Sequence, residues 1–275
     1  MNEVVQSLLP WKGAAGLVWL AAILVAERLV PADHEPAPVP SGPPGHWHRL
    51  ARNLGLWLAN IGLYPLIVLP VTFWATEHTL GWRPDWWRGG WGLALDIVLL
   101  DVLIFWWHRA NHEIPILWRF HEVHHLDRFL DASSALRFHF GEVILSALVR
   151  GGLIMSFDVP ITSVLVFETL VLVSTVFHHS NLALPPRLER ALARLIITPS
   201  IHWVHHHARR RDTDANYGTV FSFWDPLFGT RSPTPRTLAM AIGAEGVAER
   251  PFLGLLVRPF QARVRIVPSA KESGA

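Results

Sequence analysis

Long apolar runs alternate along the chain with short stretches dense in histidine, arginine and tryptophan, and the run lengths predict the elements. Crossing a bilayer takes about 20 helical residues. Residues 13–30 form the first such run; no small-residue cleavage site follows it, so it reads as an anchor rather than a signal peptide. Residues 31–45, PADHEPAPVPSGPPG, hold too much proline and glycine for regular structure. Residues 54–74 and 91–107 are the second and third spans, separated by WRPDWWRGGW, whose aromatics and arginines suit a membrane interface. Residues 143–157 and 161–177 are shorter and are joined by Asp158-Val159-Pro160, which predicts a helical hairpin that crosses the bilayer or dips into it. The expected fold is all-α: an integral membrane helical bundle, about three spanning helices plus the hairpin, under a histidine-rich helical cap. Residues 1–90 supply N-terminal membrane helices and loops, residues 91–231 carry the candidate chemistry, and residues 232–275 are a C-terminal tail. In that tail Pro251 to Phe260 and the QARVRIV run are expected as helix or strand along the cap or membrane surface.

Composition agrees with the membrane reading. Hydrophobic residues make up 51% and charged residues 17%, and fourteen tryptophans are a heavy load. The absence of cysteine excludes disulfides, thiolate iron–sulfur clusters and covalent c-type haem, so any redox chemistry draws its electrons from a partner. A net charge of +2 gives no reason to expect nucleic acid.

The sixteen histidines change the picture. Most gather in HRANH at 108–112, HEVHH at 121–125, HHSN at 178–181 and HWVHHH at 202–207. Imidazole suits iron, zinc, copper and nickel, whereas calcium and magnesium want oxygen. His108 and His112 are four apart, and His121, His124 and His125 span i, i+3, i+4, as do His202, His205 and His206; on helices each set shares a face. Parity puts all four clusters on one side of the membrane. Arginine density there, for example Arg209, Arg210 and Arg211, against only Arg83 and Arg88 opposite, makes that side cytoplasmic and the N-terminus external, in the inner membrane if the cell is bacterial. Asp96, Asp101 and Glu168 lie inside apolar runs and need partners. Asp101 and Glu168 each lie on the stripe of a downstream histidine; Asp101 is expected to orient an imidazole of another helix through its N–H away from the metal, with plain polar contacts within the bundle as the alternative for both, and Asp96 to pair within the bundle. His34, His46, His48 and His78 read as solvated loop residues.

These motifs resemble the fatty acid hydroxylase superfamily, which includes sterol desaturases and is built around a membrane-bound di-iron centre. Asp101 precedes His108-Arg109-x2-His112 by seven residues, Leu117-Trp118-Arg119-Phe120 leads into His121, and Arg137-Phe138-His139 with Glu142 is similar to the family's R-x-H-P-x-E. Asp214-Ala215-Asn216-Tyr217-Gly218 and Trp224-Asp225-Pro226-Leu227-Phe228-Gly229-Thr230 resemble the family's ending. The likeness covers roughly residues 93–231; Phe105 and Phe140 stand where tyrosine and proline are common.

The resemblance implies His108, His112, His121, His124, His125, His179, His202, His205 and His206 as ligands of two iron ions, His179 being chosen because Ser180-Asn181 sets the register. Asp101, Glu113, His139 and Glu168 are the candidate catalytic or supporting side chains, with His139 open as a ligand; His178 reads as a helix-end or supporting residue, and His207 is undecided. It further implies O2 as co-substrate, electrons from a b-type cytochrome or a ferredoxin with its reductase, and a lipid (fatty acyl chain, sterol or related isoprenoid) hydroxylated or desaturated after lateral entry. Two other readings of the residues stand beside it. HEVHH also fits an intramembrane zinc protease with Glu122 as general base, and a histidine-rich metal transporter would spread its ligands over several depths.

Overall fold

The computed structural model describes residues 3–34 and 45–261, with side chains from residue 13 onward. The proline-rich residues 35–44 and the QARVRIV run beyond Gln261 lie outside the described residues. Those described are helical, with isolated bridges in place of a sheet. α1 is Glu3–Leu29, α2 His46–Ile61, α3 Leu69–Glu77, α4 Gly89–Glu113, α5 Pro115–His125, α6 Phe140–Phe157 and α7 Ile161–His179. Short helices follow: α8 Pro186–Leu192, α9 Pro199–His205, α10 Arg210–Thr213, α11 Trp224–Phe228 and α12 Phe252–Val257.

Four helical stretches are long and apolar enough to cross a membrane: His46–Glu77, Gly89–Glu113, Phe140–Phe157 and Ile161–His179. The run at 13–30 falls within α1 and is not among those four. The second span is longer than its apolar pattern indicates because α2 and α3 are joined by a π-helical turn, Tyr64–Val68. Pro65 has no N–H for the α-ladder, and the wider turn absorbs the missing bond without ending the span. The hairpin is two membrane-length helices of 18 and 19 residues. Between them Asp158 takes a left-handed conformation (φ 50°), which stops α6 and lets Pro160 start α7.

Two polar layers close the bundle. At the end away from the histidines, Asp96 accepts from both Arg83 Nη atoms, at 2.8 and 2.9 Å, from Trp87 and from Ser163, so α4, α7 and the 78–88 link are tied by one buried carboxylate. At the other end the first turns of α2 push Arg49 onto Asp127 and Asp131, and Asn53 onto Asp127 and Ser133. Arg137 joins this lattice through Asn53, Glu249 and the Val123 carbonyl, and Arg258 pairs with Glu122 at 2.8 Å. Burial alone would push Asp127 up, but Arg49 and Arg137 outweigh it and hold its carboxyl below the usual range. The tail is thus part of the cap, its Pro251 to Phe260 stretch being helical as expected, with Met240 and Ile242 in one core cluster and Ala244 and Leu255 in another. Between the layers Ala75, Leu100, Ile154, Val164 and Phe167 pack together, and Gly151 lets α6 approach α3 where a Cβ would stand 2.8 Å from Val71.

The Asp96 clamp makes a direct test. Asp96→Ala leaves Arg83 unpaired and should cost about 3 kcal/mol, the usual loss when one partner of a buried ion pair is removed. Ser163→Ala removes one neutral donor and should cost about 1 kcal/mol. Thermal unfolding in detergent should rank D96A well below S163A; equal midpoints would contradict the clamp.

Candidate metal centre

α4 is 25 residues long, more than a bilayer core requires, and its last two turns carry His108 and His112 beyond the apolar run that ends at Trp107. Ile114 precedes proline and cannot stay helical, which ends α4 and turns the chain into α5 with Pro115 at its first position. α7 ends at His179, where Ser180 becomes extended, and Thr198-Pro199 starts α9 the same way. The ends of two membrane helices and two short cap helices therefore meet.

They bring together the nine histidines expected as ligands, and divide them into two groups. His108, His112, His121, His125 and His205 form one, and His124, His179, His202 and His206 the other; within each group the nitrogens lie within 4.8 Å of one another. Consecutive residues on an α-helix point about 100° apart. That is why the doublets His124-His125 on α5 and His205-His206 at the end of α9 serve both groups, one histidine to each. The His125 and His206 rings stack between the groups at 4.3 Å.

Acceptors fix the rings. Nδ1 of His108 faces the Tyr217 carbonyl at 2.9 Å, His124 that of Arg137 at 3.1 Å, His179 that of Thr175 at 2.7 Å and His205 that of Ala215 at 2.7 Å. A carbonyl only accepts, so each Nδ1 is the N–H and each Nε2 a bare lone pair. His121 Nδ1 meets Glu142 at 2.8 Å and His112 Nδ1 meets Asp214 at 3.3 Å. The consequence shows at Nε2. In the first group Nε2 of His112, His121, His125 and His205 is buried with no hydrogen-bond partner. In the second, Nε2 of His124 and His179 face each other at 3.1 Å with both protons committed elsewhere. Lone pairs held this way repel unless a cation lies between them, and neutral imidazole nitrogen is a borderline donor for first-row transition metals. The donor set fits a pair of such ions.

Burial keeps five of the cap imidazoles neutral. It pushes His124, His125, His202 and His206 well below the usual histidine range, helped by neighbouring histidines, and brings His205 down to about 3 against the opposing Ala215 carbonyl. Trp118 packs against His112 and His125, and Arg210 lies 4.3 Å over the Trp118 ring while donating to Asp214 and to the His112 carbonyl.

The expected supporting residues lie elsewhere. Asp101 meets no histidine: it accepts from the amides of Val220 and Phe221 and from Trp224 Nε1, anchoring the loop that presents the Tyr217 carbonyl to His108. Glu168 pairs with Arg150 at 2.9 Å and accepts from the Tyr64 hydroxyl, bracing α7 against α6 and the π turn. Glu113 is exposed beside Arg109, outside both groups. His139 is not placed to bind metal, since Nδ1 accepts from Gly141 N and Nε2 donates to the Leu256 carbonyl, which makes it the cap of α6. His178 is buried against His202 but belongs to neither group, and His207 pairs with Asp212 at 2.7 Å. His34, His48 and His78 are exposed; His46 and His48 open α2 rather than lying in a loop, His46 meets Arg28, and His78 stacks on Trp74. Asp96 does pair within the bundle. Two partners of the histidines carried no assigned role: Glu142, whose place in the R-x-H-x-x-E pattern was visible, and Asp214, the first residue of the DANYG run.

Glu122 speaks against the zinc-protease reading. It belongs to neither histidine group and is buried on Arg258 at 2.8 Å, an ion pair that a general base at a metal shared by His121 and His125 would have to give up. The ligating groups also lie at one level, the meeting point of helix ends, rather than along a path through the bundle.

Comparison with known proteins agrees with the site. The chain is 27% identical over 220 residues to an ornithine lipid hydroxylase of Rhizobium tropici, covering 79% of this chain and 66% of that protein. It is 31% identical to an alkylglycerol monooxygenase of Danio rerio over 54% of this chain and 32% of the other, and 29% identical to a cholesterol 25-hydroxylase-like protein of Danio rerio over 67% and 73%. The chain thus spans between about a third and two thirds of the length of the first two. No solved structure matches it. The model of the fatty acid hydroxylase family matches residues 93–230, which hold every histidine of both groups together with Glu142, Asp214 and the carbonyls that orient them, and the chain belongs to that family.

Proposed function

We propose that the protein is a membrane-bound di-iron oxygenase that hydroxylates a C–H bond of a lipid, with His108, His112, His121, His125 and His205 holding one iron and His124, His179, His202 and His206 the other. The observation that carries this is the facing of proton-free Nε2 atoms in two adjacent buried groups. Bound there, two irons would supply reductive activation of O2, a reaction beyond the reach of any side chain, with electrons from a b-type cytochrome or a ferredoxin and its reductase. The Arg137, Thr175, Ala215 and Tyr217 carbonyls hold the ligands in one tautomer, which raises their basicity and fixes their aim. The low-dielectric surroundings exclude water from the reacting centre. The similarity to three kinds of lipid hydroxylase favours hydroxylation over desaturation and a lipid that reaches the site laterally from the bilayer. The cap arginines favour a cytoplasmic face for the metals, with α1 entering from outside: its Glu27, near the C-terminal end, accepts from Ala132 and Asn181 in the cap. Residues 91–231 are the catalytic unit on this reading.

Purified protein should carry about two irons per chain by elemental analysis, a number set by the two histidine groups. His125→Ala or His205→Ala should lower that content, His34→Ala or His48→Ala should not; a single tight zinc indifferent to H205A would exclude the di-iron site. Glu142→Ala, which strips the acceptor from His121, should weaken metal retention about tenfold, in the range usual for partners of ligating histidines, whereas Glu142→Gln keeps an acceptor and should hold metal better. Lipid profiling of a deletion strain should reveal a lipid lacking one oxygen. Complementation with E122Q should restore the oxygenated species and H205A should not; failure of an E122Q protein that folds and retains its metal would return the protease reading.

A further inference from the structure

On the face of α9 turned away from the histidines lies a cavity of about 400 Å³, bounded by α8, α9 and residues 231–236. Its charged lining is Arg190, Arg231 and Arg236 against the single carboxylate of Glu189, so guanidinium groups outnumber carboxylates by two. Glu189 is already committed, accepting from the Ser200 amide at 3.0 Å. Asp212, close behind Ser232 and Thr234, is saturated by both hydroxyls and by His207.

Two lining groups carry donors that no acceptor of the protein meets, while the Glu189 and Asp33 carboxylates face the Arg236 charge without bonding those donors. Arg236 stacks on the Trp203 ring at 4.2 Å, and its Nε and Nη2 are buried with no hydrogen-bond partner. Thr198 is 0% exposed, and its hydroxyl is likewise unpartnered although it stands where a helix cap would bond. Leaving a charged donor buried and unsatisfied is costly, and proteins retain such groups where something binds. A guanidinium fork beside further arginines and hydroxyls matches a tetrahedral oxyanion.

We propose that this cavity is a phosphate-binding site, with Arg236 and Thr198 as its buried donors and Arg190 and Arg231 as its rim. The phosphate comes either from an anionic phospholipid headgroup or from free solute. The place favours a headgroup: α7 leaves its span at His179, seven residues before α8, a reach of at most about 25 Å, and Leu188 and Leu195 are exposed among Arg187, Arg190 and Arg194, a pattern of a segment lying on a membrane surface. The cavity touches the metal centre through two walls. Ile201 and Val204 belong to the helix bearing His202 and His205, and Asn216 sits between the Ala215 and Tyr217 carbonyls that orient His205 and His108. A bound phosphate would therefore stiffen ligands of both groups.

The test uses the full-length protein in a neutral detergent, with inorganic phosphate, a soluble short-chain phosphatidic acid and a short-chain phosphatidylcholine as titrants in calorimetry. Saturable binding of phosphatidic acid at least tenfold tighter than phosphatidylcholine, with inorganic phosphate weaker, assigns the site to a headgroup. Equal or tighter binding of inorganic phosphate assigns it to solute; both outcomes support the proposal. Arg231→Gln, at an exposed position, and Thr198→Val, nearly isosteric, should each weaken binding several-fold, and Arg236→Gln at least tenfold. Unfolding midpoints and metal content of R231Q and T198V should stay at wild-type values, which separates lost binding from lost folding. No saturable binding of any titrant, or binding unchanged in R231Q and T198V, overturns the proposal.

Discussion

The molecule depends on keeping imidazole nitrogens bare of protons in a space that excludes water. A histidine in water satisfies both ring nitrogens; here Nδ1 of His108, His124, His179 and His205 is given to backbone carbonyls, which leaves Nε2 no option but a cation. Burial then removes the easiest cation, a proton, by holding His124, His125, His202, His205 and His206 far below the usual histidine range. Neither half would suffice. Unlocked rings could turn Nδ1 inward, and exposed rings would protonate rather than wait for metal.

Holding carbonyls at these positions demands a rigid support, and much of the cap serves that need. Arg137 anchors its own segment through Val123, Asn53 and Glu249 while its carbonyl meets His124. Asp101 reaches from inside α4 to the Val220 and Phe221 amides and the Trp224 indole, and Asp225 accepts from the Tyr217 and Gly218 amides. Between these anchors Asn216 adopts a left-handed conformation (φ 58°), which turns the chain between the Ala215 and Tyr217 carbonyls so that each reaches a different histidine. The buried acids are thus spent on positioning backbone, and the backbone positions the metal ligands.

How far the sequence could be read follows from what kind of information a helix carries. Spacing along one helix fixes which residues share a face, so the histidine sets, the hairpin and the shared side of the membrane were legible from residues 91–206. What a face meets is set by other helices. Asp101 and Glu168 lie on histidine stripes, yet one meets residues about 120 positions later and the other Tyr64 and Arg150, partners that no local period encodes. His139 misled for a related reason: a histidine before a helix can cap it, and its second partner, the Leu256 carbonyl, comes from the tail. The backbone carbonyls were invisible because every residue has one. The division into two groups was hidden because i, i+3, i+4 spacing describes a broad stripe, while ligation separates positions one residue apart.

That last distinction has a mechanical consequence. α5 and the end of α9 each give histidines to both groups, His121 and His125 against His124, His205 against His202 and His206. Any displacement of α9 must therefore disturb the two groups together. α4 and α7 act differently, since His108 and His112 serve one group and His179 the other. The membrane helices hold the two groups apart while the cap helices join them into one unit, so the integrity of the pair rests most heavily on α9, with seven residues the shortest of the four helices that carry these histidines, held at Ile201 by the Asn216 side chain.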